Sequence, residues 1–106
     1  MAEPATETRN PHNRLHLEAT VVACNPLRYT PAAIPVIDVL LEHQSLQIES
    51  GQQRQVAVQL KAVGFGAMAE ALVRLPLGVV LQAQGFLAHT RNGKGVVLHI
   101  QEFKLI

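Results

Sequence analysis

The stretch Ala67-Met68-Ala69-Glu70-Ala71-Leu72-Val73-Arg74-Leu75 decides how this chain is read, because it is a single short helical pattern set among alternating strand patterns. Met68, Leu72 and Leu75 recur at helical spacing and make an apolar stripe suited to plugging the end of a barrel. Pro76 stops the run, since proline lacks the amide hydrogen a helix needs. Gly64-Phe65-Gly66 leads in and Leu77-Gly78 leads out.

Three strand patterns precede the helix. Leu15, Leu17, Ala19 and Val21 alternate with His16, Glu18 and Thr20, the pattern of a half-buried strand. Asn25-Pro26, Pro31 and Pro35 then interrupt the chain and predict a loop over Cys24–Pro35. In Val36–Gln44, Ile37, Val39 and Leu41 share one face, while Asp38, Leu40, Glu42 and Gln44 share the other. Glu49-Ser50-Gly51-Gln52 is a turn signal. A third strand is predicted from about Gln53 to Val63. It carries Val56, Val58, Leu60 and Ala62 on a core face, and Gln53, Gln55, Ala57, Gln59 and Lys61 on a wettable face open to a polar ligand. After the helix, Val79–Ala88 forms a fourth strand with Gly85 marking a sharp bend. Asn92-Gly93 signals a hairpin, and Val96–Ile106 is the fifth strand. An all-β, five-stranded barrel with one short helix between strands 3 and 4 is the order of an OB-fold. An open α+β sheet is the competing architecture.

The chain has 106 residues, enough for one domain. Residues 1–12 are polar, contain Pro4 and Pro11, and are expected to form a flexible N-terminal tail; residues 13–106 form the domain. Hydrophobic residues make up 48% and charged residues 16%, a surplus that suggests a covered surface, for instance against a second copy. The net charge is only +1, a weak bias for a protein that would gather phosphates. Locally, Arg91-Asn92-Gly93-Lys94 carries two positive charges and no negative one. The single cysteine, Cys24, excludes an intrachain disulfide and fits a reducing compartment. No stretch is long and apolar enough to span a membrane, the N-terminus lacks a signal pattern, and a cytoplasmic location is expected.

Little in the sequence resembles catalysis. His12, His16, His43, His89 and His99 lack the close pairing of metal ligands, so no metal site and no cofactor are expected. Cys24 has no neighbouring base that would make it a nucleophile, and Glu18, Asp38, Glu42 and Glu102 suit solvated strand faces. The chain is expected not to be an enzyme. Arg91 and Lys94 flank a turn that serves either as an ordinary solvated tip or as a cationic finger for phosphate. Arg28 and Tyr29 lie in the first loop, where Arg28 suits phosphate or stacking and Tyr29 offers a flat face to a base or packs on the barrel rim. Arg54 stands beside the glutamine face as either a backbone contact or a strand-edge charge.

The ordered series Asn13-Arg14-Leu15, Pro26-Leu27-Arg28, Ile34-Pro35, Leu41-Glu42-His43, Gly51, Arg54-Gln55, Gly85-Phe86 and Val97-Leu98-His99 resembles the primosomal replication protein N (PriB) family, relatives of bacterial single-stranded-DNA-binding proteins. The resemblance covers residues 13–106. It implies an OB-fold homodimer paired through its first strands, near Leu15–Val21 here. It also implies single-stranded-DNA binding and a role in replication restart, with the PriA helicase stabilised on DNA and primosome assembly promoted. Family DNA contacts lie on the third-strand face and in two loops. The resemblance therefore marks Arg28, Tyr29, Arg54, Gln55, Ala57, Arg91 and Lys94 as DNA-binding positions. Several of these depart from the family pattern. Ala57 stands where an aromatic platform is found, Tyr29 where a basic residue is found, Gln44 where an Arg follows the Glu-His pair, and the loop around Asn92 is shorter with fewer lysines. DNA binding is expected to be weakened or rearranged, with Tyr29 supplying some of the missing stacking. The rivals are a protein-binding adaptor with little DNA affinity and an RNA-binding cold-shock-like barrel. The second would need paired surface aromatics.

Overall fold

In the computed structural model the described residues are 10–90 and 92–106. The expected tail over residues 1–12 falls mostly outside them. Strands β1 (Leu15–Cys24), β2 (Arg28–Tyr29), β3 (Pro35–Glu49) and β4 (Gln52–Phe65) lead to helix α1 (Ala67–Val73), which is followed by β5 (Val80–His89) and β6 (Val96–Leu105). The five long strands close in the order β1-β5-β6-β4-β3 and back to β1. All pairings are antiparallel except β4 with β6, the parallel contact that the crossover through α1 makes possible. The open α+β sheet is thereby excluded.

The helix lies between the fourth and fifth strands rather than between strands 3 and 4. The loop expected over residues 24–35 contains a two-residue strand, β2, that ladders Arg28 to Val36 and Tyr29 to Pro35. Only by counting the five barrel strands alone does the helix keep its expected place. It packs on β3, β4 and β6, with Ala69 and Leu72 buried and Met68 and Leu75 partly so. Gly64 allows this approach, since a Cβ there would stand 2.7 Å from Leu72 Cδ1.

One strand must serve two neighbours to close so small a barrel. Leu15–Thr20 of β1 pair with β5, and Thr20–Cys24 pair with β3, with a bulge at Val22 between two successive partners on β3. A second bulge sits opposite Gly85, the residue expected to mark a bend. A side chain at Gly85 would collide with the carbonyl oxygen of His99, so only glycine fits. The core is aliphatic: Ile37, Leu41, Leu81 and Leu98 are fully buried among Ala19, Val39, Ala62 and Ala83.

Both strands of the β3–β4 hairpin run longer than their alternation predicts. The ladder continues without a shift from Val36↔Phe65 to Glu49↔Gln52 and closes through Ser50-Gly51, both with positive φ as a tight hairpin demands. Backbone pairing, with an ion pair between Arg54 and Glu49, carries this ribbon past the barrel. Leu46 and Ile48 are 61% and 69% exposed, and Val58, on the core side by parity, is exposed too. At the other end β4 continues through Gly64 to Phe65, where an interruption was expected.

Candidate nucleic-acid interface

Residues directly opposite in a ladder point to the same side. Asp38, Leu40, Glu42 and Gln44 of β3 therefore share the outer face with Val63, Lys61, Gln59 and Ala57 of β4. On the far side of β4, the parallel pairing sets Val97 beside Lys61 and His99 beside Val63. The loop before β3 and the loop after β5 rise on either side of this surface. Between them lies an open groove of about 820 Å³ whose lining includes Arg28, Asp38, Lys61, Phe65, His89 and His99. A second cleft of about 670 Å³ shares Lys61 and Thr90 with the first and adds Gln59, Asn92 and Lys94. Together they make a track across the barrel wall, apolar at its floor and cationic at Lys61 and Lys94.

The charges are not all available. Arg28 Nε donates to Asp38 Oδ2 at 2.8 Å and Arg28 Nη2 to Oδ1 at 3.2 Å, a bidentate clamp. This hydrogen bonding raises the guanidinium pKa above its ordinary value. Arg54 Nε lies 3.2 Å from Glu49 Oε1. By parity Arg54 shares its face with Val56 and Val58, opposite the glutamine face beside which it was expected. Lys61 and Lys94 have no ion pair among the described residues. Lys94 is held in place by its loop: Asn92 Oδ1 accepts from the Lys94 amide at 2.9 Å and from Thr90 Oγ1 at 2.8 Å, while Gly93 takes positive φ.

The remaining expected site residues distribute unevenly. Arg28 and Thr30 line the larger groove; Tyr29, between them on a two-residue strand, does not, and is 63% exposed. Gln55 and Ala57 are exposed on the same face as Lys61 but farther out, on the projecting ribbon. Arg91 lies outside the described residues. Partial burial, and secondarily Asp38, push the Cys24 thiol pKa up, which disfavours the thiolate. Among the described residues no group of three or more metal-ligating side chains comes together, and none of their helices is long and apolar enough to cross a membrane.

Three ring-bearing residues, two in the groove lining and one beside them, are not among the site residues expected from the sequence. Phe65, His99 and Phe86 lie on β4, β6 and β5, and their rings stack in one row. Phe65 and His99 are 5.6 Å apart at an interplanar angle of 2°, and His99 and Phe86 are 4.8 Å apart at 10°. The odd-number parity that groups Phe65 with Lys61 is a usable signal for the first. Nothing local foretells the other two, because the parallel β4–β6 pairing and the β5–β6 bulge bring them there.

The family profile described as "Another single-strand binding protein family" matches residues 13–102. Replication restart protein PriB of Bordetella pertussis is 41% identical over 95 residues, covering 89% of both chains. PriB of Ralstonia solanacearum superimposes with a TM-score of 0.81 at 41% identity, covering 88% of this chain and 96% of that one. The single-stranded DNA binding protein of Thermus aquaticus gives a TM-score of 0.72 at 25% identity over 89% of this chain and 50% of its own. Barrel closure, the long hairpin and a match along nearly the whole domain agree: the chain belongs to the PriB family, within the single-strand binding proteins.

Proposed function

We propose that this chain is a homodimeric, non-enzymatic, cytoplasmic accessory protein of replication restart that holds single-stranded DNA in the track across β3, β4 and β6. The observation that carries the reading is the groove itself. It is continuous with a cleft bearing Lys94, it has Lys61 at the junction, and it lies between the two loops that grip ligands in this kind of barrel. Stabilisation of the PriA helicase on DNA and promotion of primosome assembly rest on the family resemblance. Dimer formation is supported by β1, whose edge away from β5 carries no ladder before Thr20 among the described residues.

Arg28, Lys61 and Lys94, with Arg91 from the adjoining loop, supply the phosphate contacts in this proposal, and Gln55, Gln59 and Ala57 border the path. Arg54, turned to the other face and paired with Glu49, serves the strand only where it wraps the ribbon. A protein-binding adaptor is the second reading, favoured by the two neutralised arginines and by Ala57.

Titrating a labelled oligonucleotide at a series of salt concentrations separates the two. For a single-stranded-DNA binder, log affinity falls linearly with log salt, by about 0.7 per phosphate contacted. Lys61→Ala and Lys94→Ala should each flatten that slope by about 0.7. An adaptor shows little binding at any salt.

A further inference from the structure

We infer that a phosphate backbone held in the larger groove takes up protons there, with His89 and His99 as the conditional cations, so that the site binds more tightly as pH falls. This inference rests on the single-stranded-DNA reading above and adds a regulation of that same site.

The groove is short of usable charge. Its charged lining residues, among those described, are Arg28, Asp38 and Lys61. Arg28 and Asp38 neutralise each other through the bidentate clamp, which leaves Lys61. His89, at the end of β5, and His99, on β6, complete the titratable lining. Histidine is the side chain that ordinarily changes charge between about pH 5 and 8. The described lining therefore carries one net positive charge with both rings neutral and three with both protonated.

Neither ring is committed elsewhere. His43 has both ring nitrogens hydrogen-bonded, whereas His89 and His99 have no side-chain hydrogen bond or ion pair among the described residues. His89 is exposed and immediately precedes Thr90, which lines both clefts. His99 is stacked between Phe65 and Phe86, so its faces are covered and only the ring edge, where the nitrogens sit, is left to meet a ligand. The charged groups facing the two rings are Arg28 from β2, Asp38 from β3 and Lys61 from β4; β1 brings the uncharged Ala23. Beside it, Cys24 has its thiol pKa pushed up by burial. Arg91, two positions past His89, lies outside the described residues. Arginine, lysine and carboxylate charges ordinarily stay fixed between pH 6 and 8, so histidine is the variable in that window. A phosphate placed beside an imidazole favours its charged form. Binding and protonation therefore promote each other, and affinity rises as pH falls until the free protein is itself protonated.

Anisotropy titration with oligo(dT), whose base does not titrate in this range, tests the coupling at pH 6 and pH 8 and constant ionic strength. Affinity should be at least about fivefold higher at pH 6. The salt slope should be steeper there by about 0.7 for each ring that gains a phosphate contact. Calorimetry of the wild type in buffers of different ionisation heat should show net proton uptake on binding. His89→Gln and His99→Gln should each reduce the pH dependence, and the double variant should lose it. His16→Gln, an exposed histidine of β1 outside the groove, should keep it. Thermal unfolding checks that each variant is folded, and the wild-type proton uptake needs no variant. If the wild type binds oligo(dT) with the same affinity and salt slope at both pH values and takes up no proton, the coupling is wrong and the binding function stands. A pH dependence that survives in the folded double variant also overturns the assignment. If the wild type binds oligo(dT) at neither pH, the binding function fails and the coupling with it.

Discussion

Asp38 sets how much of the groove's positive charge can be used. Its carboxylate takes both arms of Arg28 while facing the groove itself. A phosphate entering there competes with a carboxylate already in place and is repelled by it. Asp38→Asn keeps the shape, releases Arg28 and removes one negative charge. The expected outcome is a several-fold rise in oligonucleotide affinity at low salt and a salt slope steeper by about 0.7, measured by anisotropy titration. The cost to stability should be under about 1 kcal/mol, because both side chains are partly exposed and water screens the pair. His43 illustrates the opposite use of a polar group. The Glu18 carbonyl can only accept, so Nδ1–H donates to it at 2.6 Å; Nε2, 2.8 Å from Ser45 Oγ, is then left to accept the hydroxyl hydrogen. The ring stitches β1 to β3 where no ladder joins them.

Among the elements, the β5–β6 pair controls the ring row. Gly85 precedes Phe86 and lies against the His99 carbonyl at a bulge. Gly85→Ala must push the two strands apart at the residues that stack. About 2 kcal/mol of destabilisation and a fall of roughly 10 °C in Tm are expected from overpacking in a domain of this size. Calorimetry measures the loss. The β3–β4 ribbon behaves differently. It buries little, so its tip depends on Ser50-Gly51 adopting positive φ and on cross-strand pairing.

For the molecule as a whole the relevant object is the proposed dimer. Light scattering should give twice the 11.5 kDa chain mass. A monomer would instead leave the free edge of β1 exposed and the track confined to one barrel. Charge at this scale is nearly balanced, so long-range attraction to DNA is weak, and the proposed binding relies on local contacts such as Lys61 and Lys94.

Strand alternation, the helix and its stop at Pro76, the Asn92-Gly93 and Ser50-Gly51 turns, and the split of β4 into a core face and a wettable face are all legible in the order of the residues. Each is written in neighbours a few positions apart, through side-chain period and backbone preference. Which charges are already spent and which rings meet is settled by the folded barrel alone. Arg28 reaches Asp38 across a hairpin, Arg54 falls on the far side of its ribbon with Glu49, and Phe65, Phe86 and His99 join through a parallel pairing and a bulge. The ring contacts join residues remote in the chain and the two ion pairs cross hairpins; all are fixed by strand register, which the order of the residues does not state.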